Sequence, residues 1–513
     1  MKKPKLIFWI DSQLFSFILA KSLQELFDCE LFSVIEITDK PKKFFQEQQI
    51  VKFKKTWFYY DYILKTKRKP DLNYLKSIEE KYNIPLWLIA ANDRFFMDCY
   101  TCHNKFYKFS YDEILLILED EIKLYEMILD EVKPDFVLML ISHQQHNHIF
   151  YKICKSRGIK IIIPIPSRFN INEKKSMHTG LSERIFLGDQ LDQCLPLPKT
   201  KNLKNDNKPS IPQQNNSISN KKFSHNASTA HKESASNYVK AAIKYLFTTD
   251  KNIKTHYTYF GRSKIKVIFK ILFYELRKKH RENFMNKNLE LKIDEKSDFI
   301  FFPMHQEMER ILLIGAPFYI NQFEVIQNIA KSLPIGYKLC VKDHMVMNVR
   351  GWRSVNEMKK IMNLHNVILL HPSANSNELI KKSKLVITIK GSSIIEASFH
   401  NKPIICFENV GMFKISSQTL LKSIKDLPET IRNSLKQKVD KNETEIYKKA
   451  VYDNTFEFRY AEIQKVIDDV LNMGGYYANT EIRSEKISSL LEKFKAELTF
   501  FALKHIEKMK ELS

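Results

Sequence analysis

One short segment, residues 384–397 with the sequence KLVITIKGSSIIEA, constrains the fold more than any other part of the chain. Its run of β-branched and apolar residues ends at Gly391-Ser392-Ser393, and Glu396 follows about one helical turn later. This order predicts a buried strand, a tight turn of small residues and the beginning of a helix. Backbone N–H groups and a carboxylate would then lie at the carboxyl edge of a parallel sheet, where nucleotides are commonly held.

Predicted strands and helices alternate in both halves of the chain. In the first half the apolar pattern predicts strands at 5–10, 31–37, 86–90, 136–142 and 159–163, with helices at 14–27 and 114–132. In the second half it predicts strands at 298–302, 337–342, 367–370, 385–389 and 403–407, with helices at 321–332, 355–363 and 376–382. We therefore predict an α/β fold with two Rossmann-like, doubly wound domains.

The length of 513 residues and the hydrophobic content of 44% allow several domains. We predict a Rossmann-like domain at 1–194, a disordered polar linker at 195–237, a basic helical connector at 238–295 and a second Rossmann-like domain at 296–475. Apolar residues at helical spacing predict a C-terminal amphipathic helix within 476–513, over residues 483–510. We expect this helix to pack back on one of the domains, with a coiled-coil partner or a membrane face as the alternative.

The net charge of +23 is unevenly distributed. Residues 199–290 hold 20 Lys and Arg against 6 Asp and Glu, and the part after residue 238 also carries apolar residues at helical spacing. An ordinary solvated helix face explains such a pattern, and contact with an anionic membrane surface is the next interpretation. Nucleic acid is the least favoured partner, because no recognisable binding module accompanies the charge.

The sequence also bears on location. No apolar run approaches the ~20 residues that span a bilayer, and the seven scattered cysteines are typical of a reducing compartment. Asp11 and Gln13 interrupt the apolar N-terminus, which we interpret as a first strand and not a signal peptide. We expect a cytoplasmic protein, with peripheral contact to the inner face of the cytoplasmic membrane as an extension of that expectation.

Three groups of residues occur in a characteristic order in the second half of the chain. They are Phe302-Pro303-Met304-His305 with Glu309, then Val341-Lys342-Asp343-His344 with Arg353, then Gly391-Ser392-Ser393 with Glu396-Ala397 and Lys402-Pro403. They resemble the motifs F-P-L-H-x-Q-P-E, V-K-E-H-P and G-S-T-x-x-E-A of the capsule polysaccharide biosynthesis glycosyltransferases, a GT-B family related to capsular Kdo transferases. The chain departs from this pattern at Met308 and Met345, where the family has prolines that would fix φ in loops.

The resemblance implies a glycosyltransferase that moves a sugar from a nucleotide-activated donor to a growing surface or capsular polysaccharide or glycolipid. It implies that the domain at 1–194 is the acceptor domain and that the domain at 296–475 is the nucleotide-sugar-binding domain, and that the two face a cleft. It implies no metal and no cofactor beyond the nucleotide-sugar substrate. A phosphate leaving group needs cations and hydrogen-bond donors. The implied donor-binding residues are His305, Glu309, Lys342, Arg353, Gly391, Ser392, Ser393 and Glu396, and His344 is an implied catalytic residue.

The acceptor side rests on the first half of the chain. Asp93 follows the predicted strand at 86–90 and is our candidate for the catalytic base, although a turn-capping or ion-paired aspartate fits the same pattern. Arg94, His143 and Arg168 are candidates for acceptor contacts. His143, His146 and His148 could be taken for metal ligands, but no acidic ligand sits beside them, so we predict no metal.

Two other functions share these features. A nucleotide-sugar epimerase or a polyol-phosphate transferase with the GT-B fold would have the same turn after residue 389, and a catalytically inactive subunit of glycan assembly would keep the fold alone. An epimerase would act on the donor without a glycan. An inactive subunit would gain no thermal protection from nucleotides.

Overall fold

The computed structural model describes residues 3–97, 106–167, 183–189, 256–294, 297–350, 353–409, 413–440, 442–467 and 481–513. The predicted linker at 195–237, the first part of the connector and Arg168 lie outside the described residues.

The first half of the chain forms a seven-stranded sheet with helices on both faces. Five parallel strands stand in the order β3-β2-β1-β4-β5, and β6 and β13 extend the sheet beyond β5 in antiparallel register. The strands are β1 Lys5–Ile10, β2 Glu30–Ile35, β3 Lys55–Phe58, β4 Phe136–Leu138, β5 Lys160–Pro166, β6 Glu183–Gly188 and β13 Phe456–Phe458. The helices are α1 Phe15–Leu26, α2 Asp39–Glu47, α3 Leu72–Tyr82, α4 Leu86–Ala91, α5 Tyr111–Val132 and α6 Gln145–Ser156.

The second half forms a six-stranded sheet in which every pair of neighbouring strands is parallel. Its order is β12-β11-β10-β7-β8-β9. The strands are β7 Phe299–Pro303, β8 Lys338–Lys342, β9 Val367–Leu370, β10 Leu385–Thr388, β11 Ile404–Cys406 and β12 Gln418–Leu420. The helices are α7 Lys264–Asn288, α8 Arg310–Leu313, α9 Gln322–Ser332, α10 Met345–Arg350, α11 Val355–Met362, α12 Ser376–Lys382, α13 Ser393–Phe399, α14 Leu427–Lys436 and α15 Glu443–Asn454.

Both sheets reverse their strand order at one point. The reversal lies between β1 and β4 in the first sheet and between β7 and β10 in the second. Ligands of such sheets bind outside the carboxyl ends of the strands at this point. The predicted α/β fold with two doubly wound sheets is confirmed, since each sheet has buried apolar strands and a separate apolar cluster on each face.

The end of the chain returns to the first sheet. β13 pairs with β6, and α16 Tyr460–Ile467, α17 Ser484–Lys493 and α18 Lys495–Leu512 follow it. Phe458 and Phe501 stack on each other next to Phe15 of α1. The chain thus leaves the second sheet near Thr455, before the predicted boundary at 475, and the helix predicted over 483–510 is divided at Phe494.

One predicted strand is wrong. Residues 86–90 form helix α4, whose first turn follows Pro85. A short apolar run does not distinguish a buried strand from a buried helix by periodicity. A proline directly before the first turn is also compatible with a helix. The local sequence therefore allows both structures, and packing in the folded protein selects the helix.

Helix α7 forms most of the described part of the predicted basic connector at 238–295. Ser263 caps its N-terminus through the Lys266 N–H, and Val267, Arg281 and Met285 form its buried side. Among the described residues, no helix combines the length and the apolar content that crossing a membrane requires.

Candidate functional site

At the point where the strand order of the second sheet reverses, the loops after β7 and β10 contact each other. Nε2 of His305, after β7, lies against the backbone carbonyl and amide of Lys390, after β10. A Cβ at Gly391 would lie 3.1 Å from the same Nε2 atom. Glycine is therefore needed for close approach of the turn, and His305 forms the floor of the site.

The loop after β7, which carries His305, is held in place by the side chain of Gln322. The side chain of Gln322 accepts a hydrogen bond from the His305 N–H (2.7 Å) and donates to the His305 carbonyl (3.0 Å). Glu309 precedes α8 and accepts a hydrogen bond from Nε2 of Gln306 (2.8 Å). Met308 has φ +57°, a value that the proline ring excludes. The loop thus has a different conformation from one with proline at this position.

Lys342 is the cation at the carboxyl end of β8. Its side chain is buried (5% exposed), and burial lowers its pKa to about 8 although Asp343 and Glu396 favour the charged form. Glu396 accepts a hydrogen bond from the Ser392 hydroxyl (3.2 Å), and Ser393 begins α13 beside it. Lys342, Ser392 and Glu396 therefore form one polar group at the carboxyl ends of β8 and β10.

Two histidines flank this group. His344 accepts the Val346 N–H on Nδ1 (3.3 Å), which orients its ring at the start of α10. His371 follows β9, and burial together with the Lys342 charge lowers its pKa. Its Nε2 contacts Asn286 of α7 (3.1 Å). Helix α7 is thereby joined to the loops of the site.

Arg353 does not belong to this group, contrary to the sequence prediction. Its guanidinium is buried and pairs with Asp343 (2.9 Å), Glu307 (2.6 Å) and Glu357. Burial opposes its charge, but the three carboxylates outweigh burial and keep its pKa raised. The role of Arg353 is to compensate three acidic side chains, and it is not placed to receive a phosphate.

The reversal of the first sheet holds a second polar group. Asp11 follows β1, Glu36 follows β2 and His146 lies in the first turn of α6 after β4. Nε2 of His146 contacts Glu36 at 2.8 Å, and the hydroxyl of Tyr60 donates to Glu36 at 3.1 Å. Burial and the neighbouring Glu36 carboxylate raise the pKa of Asp11 to about 7.

Asp93 lies beneath this group. Its carboxylate accepts hydrogen bonds from the backbone N–H groups of Phe95 (2.7 Å) and Gln145 (2.8 Å). The side chain is buried, and burial raises its pKa. These contacts match the turn-capping alternative, since Asp93 fixes the start of α6. Asp11 is half-buried and retains access to solvent, which a base that meets a substrate requires.

Below Asp93, the buried Glu121 accepts hydrogen bonds from Tyr59 and from Gln145 (2.7 Å). Burial raises the pKa of Glu121 to about 7. The Glu36 carboxylate, with smaller contributions from Glu121 and Asp93, raises the pKa of His146 against the effect of burial. Asp11 and Glu36 are half-buried, whereas Asp93, Glu121 and His146 are buried.

The predicted acceptor residues lie where the two sheets approach each other. Nη2 of Arg94 contacts the His143 carbonyl at 3.5 Å. Reduced hydration and the charges of Arg310 and Arg94 lower the pKa of His143. Arg310 belongs to α8 of the second sheet, so the carboxyl-end loops of both sheets meet here. Arg168 lies outside the described residues.

The three histidines near β4 do not converge. His146 contacts Glu36, and Nδ1 of His148 contacts the Ser142 hydroxyl at 3.2 Å. Within the described ranges, no three His, Cys, Asp or Glu side chains are placed to hold a metal ion.

The sequence analysis missed five residues near these sites: Asp11, Glu36, Arg310, His371 and Lys390. Asp11, His371 and Lys390 each directly follow or nearly follow a strand, and this was a usable signal. Glu36 directly follows β2 but lies inside the predicted strand at 31–37, and Arg310 is brought in by the approach of the two sheets. An open groove of about 700 Å³ also lies beside α7, lined by Arg277, His280, Arg281, Lys359 and Lys360 among others.

Comparisons with known proteins agree with the motif analysis. Residues 199–438 match the family model described as capsule polysaccharide biosynthesis protein. This range contains all three motif groups. A search of curated protein sequences finds no match.

Solved structures show weaker likenesses. UDP-GlcNAc 2-epimerase from Methanocaldococcus jannaschii, in complex with UDP-GlcNAc and UDP, is 11% identical over 87% of this chain and 99% of its own, with a TM-score of 0.26. The β-Kdo 2,7 transferase KpsC of Thermosulfurimonas dismutans is 10% identical over 60% and 79%, with a TM-score of 0.26. The E. coli ADP-heptose LPS heptosyltransferase II is 8% identical over 84% and 99%, with a TM-score of 0.21. TM-scores this low do not establish a shared arrangement of the whole chain.

Proposed function

Since residues 199–438 match the family model described as capsule polysaccharide biosynthesis protein, we propose that this protein is a glycosyltransferase. It moves a sugar from a nucleotide-activated donor to a growing surface or capsular polysaccharide or glycolipid. The observation that carries the proposal is the buried ammonium of Lys342 beside Glu396 at the carboxyl edge of the second sheet. A lysine held in this way costs stability in the free protein, which is typical of a site built for an anionic ligand.

The donor binds at this edge. Lys342 faces the phosphate groups, and its ammonium stabilises the charge that develops on the leaving nucleotide. Ser392 and Glu396 are joined by a hydrogen bond and supply acceptors for the ribose hydroxyls. His344 is oriented by a hydrogen bond from its own helix and adds an imidazole near the phosphates. We assign no metal to the reaction, and the donor is a substrate and not a resident cofactor.

The acceptor binds across the cleft, against the first sheet. Asp11 removes the proton of the attacking hydroxyl, whose oxygen forms the new bond to the anomeric carbon as the bond to the donor phosphate breaks. A carboxylate with a pKa of about 7 is matched to this task at neutral pH. Asp11 replaces Asp93 as the base in this proposal, because both oxygens of Asp93 already accept backbone hydrogen bonds. Arg94, His143 and Arg310 provide contacts for an anionic sugar.

The acceptor is a glycan or lipid-linked glycan at the inner face of the cytoplasmic membrane, in keeping with the family of residues 199–438. The protein then works as a peripheral protein of that face.

The test is a turnover assay with CMP-, UDP- and GDP-sugars, with and without capsular glycan fragments. We expect free nucleotide to be released by one donor class and only when a glycan is present. Glu396→Ala should abolish release, and Ile335→Gln, an exposed position at the amino end of β8, should leave it unchanged. Conversion of the donor without a glycan would identify an epimerase, and a phosphate retained in the product would identify a polyol-phosphate transferase. Either result would overturn the proposal.

A further inference from the structure

Helix α7 exposes an apolar stripe that no described part of the chain covers. Ile265, Phe269, Leu272 and Leu276 follow one another at intervals of four, three and four residues, so they lie on one face of the helix. Phe273 borders them. These five side chains are between 55% and 67% exposed. Exposed apolar residues that occur singly need no explanation, but a contiguous stripe of this kind marks an interaction surface.

The stripe is embedded in positive charge. Helix α7 contains eight Lys and Arg and two Glu, and Lys264, Lys266 and Lys270 alternate with the apolar residues of its first half. Its opposite side is anchored, since Val267, Arg281 and Met285 are buried and Met285 belongs to an apolar core of the second sheet. The helix therefore presents a fixed apolar face flanked by cations, the pattern of a helix that lies in the interface of an anionic membrane.

We propose that the stripe of Ile265, Phe269, Leu272, Phe273 and Leu276 docks onto the surface of a bilayer that contains anionic phospholipids. Charge complementarity distinguishes this occupant from the others. A second copy of the same face would bring the lysines of two helices together. Residues 195–237 of this chain are polar and basic, and residues 238–255, which carry apolar residues, are also basic. An anionic leaflet offers both the apolar interior and the opposite charge.

The position of α7 connects this surface to the donor site. The Glu290 carbonyl, just after the helix, accepts the His371 N–H (2.9 Å), and Asn286 contacts the His371 ring. His371 in turn lies near Lys342. A bilayer seated on the first half of α7 would hold the donor loops at a fixed distance from a membrane-borne acceptor.

The test is co-sedimentation of the full-length protein with phosphatidylcholine vesicles, with and without phosphatidylglycerol. We expect binding only when phosphatidylglycerol is present, and we expect it to weaken at high salt. The triple variant Phe269→Gln, Leu272→Gln, Leu276→Gln and the triple variant Lys264→Gln, Lys266→Gln, Lys270→Gln should each lower the partition coefficient by about tenfold or more. Arg277 is left unchanged because it also lines the basic groove.

The matched control is Leu72→Gln with Ile335→Gln, which removes exposed apolar side chains elsewhere and should leave vesicle binding intact. Circular dichroism melting of each variant checks that the fold is kept. Equal binding of wild type and both triple variants, or equal binding to neutral vesicles, would overturn the proposal. So would a dimer in light scattering that the apolar variant converts to a monomer, because the stripe would then be a self-interface. No nucleotide is present in this assay, so its result is independent of the transferase proposal.

Discussion

The imidazole of His305 rests on the backbone of Lys390, and this contact joins the loops after β7 and β10 where the strand order of the second sheet reverses. The two residues are 85 positions apart in the chain. Their contact leaves little room for a side chain at Gly391, since an added Cβ would lie 3.1 Å from the ring nitrogen of His305. The floor of the proposed donor site therefore depends on a glycine and a histidine that were both part of the sequence motif.

Gly391→Ala should displace the His305 ring by a few tenths of an ångström and disturb the turn that carries Ser392. We expect nucleotide affinity to fall several-fold, with a loss of unfolding free energy of about 1–2 kcal/mol. Isothermal titration and urea denaturation measure the two effects. Gly158→Ala is the control, because it meets no neighbouring atom but has φ +71°, so it should cost stability and leave nucleotide affinity unchanged. Unaltered affinity in Gly391→Ala would contradict the proposed floor.

Lys342→Met should stabilise the free protein and remove nucleotide binding. At neutral pH the buried ammonium is disfavoured in the folded state, where the pKa of this lysine is about 8, against 10.5 for an exposed lysine. Between these values unfolding takes up a proton, so the wild type gains stability as pH rises from 8 to 10.5. We expect the free energy of unfolding of Lys342→Met to exceed that of wild type by about 1–3 kcal/mol at pH 7. This difference should shrink toward pH 10.5.

Urea denaturation at several pH values measures this difference. Lys338→Met, on the exposed start of the same strand, serves as the control and should show no such pH dependence. A Lys342→Met protein that is less stable than wild type at pH 7, or that still binds nucleotide with full affinity, would show that the lysine has a structural role.

The pH dependence of turnover should be bell-shaped. Activity rises as Asp11 loses its proton near pH 7 and falls as Lys342 loses its proton near pH 8. Asp11→Asn should lower kcat by about 10²–10⁴-fold and remove the acidic limb. Glu36→Gln should shift that limb to lower pH, because the Glu36 charge raises the pKa of Asp11. An acidic limb that persists in Asp11→Asn would assign the base to another group.

The two positions where the chain lacks the family prolines should respond differently to proline. Met308 has φ +57°, which a proline ring cannot adopt, so Met308→Pro should cost about 3 kcal/mol or more and weaken nucleotide binding. Met345 is the first residue of α10, a position that favours proline. Met345→Pro should therefore change the unfolding free energy by less than about 1 kcal/mol. Thermal melting of both variants makes the comparison, and similar losses in both would refute this account of the loops.

The fold was largely predictable because its strands are buried, short and apolar. Strand β9 and helix α12 have the predicted bounds, and the other predicted strands of the second sheet differ by one residue at either end. Strand β13 was not predictable, since its partner β6 lies about 270 residues earlier and no local pattern marks the pair. Helix α4 was mistaken for a strand because five apolar residues fit both structures.

The candidate site was predictable only where a motif follows a strand. Lys342, Ser392 and Glu396 meet this condition, and the structure brings them together. Arg353 was assigned to the phosphate because the sequence does not show that Glu307, Asp343 and Glu357 converge on it. Asp11 and Glu36 follow separate strands and His146 lies in the first turn of α6, and the strand order makes them neighbours.

The central claim is that the second sheet binds a nucleotide through Lys342 and Glu396. The most direct measurement is the melting temperature of the protein with millimolar CMP, UDP, GDP or CDP, in wild type, Glu396→Ala and the control Ile335→Gln. The account predicts that one nucleotide raises the melting temperature of wild type and of Ile335→Gln by several degrees, and that Glu396→Ala shows no rise. If none of the four nucleotides shifts the wild type, or if Glu396→Ala is protected equally, the account is contradicted.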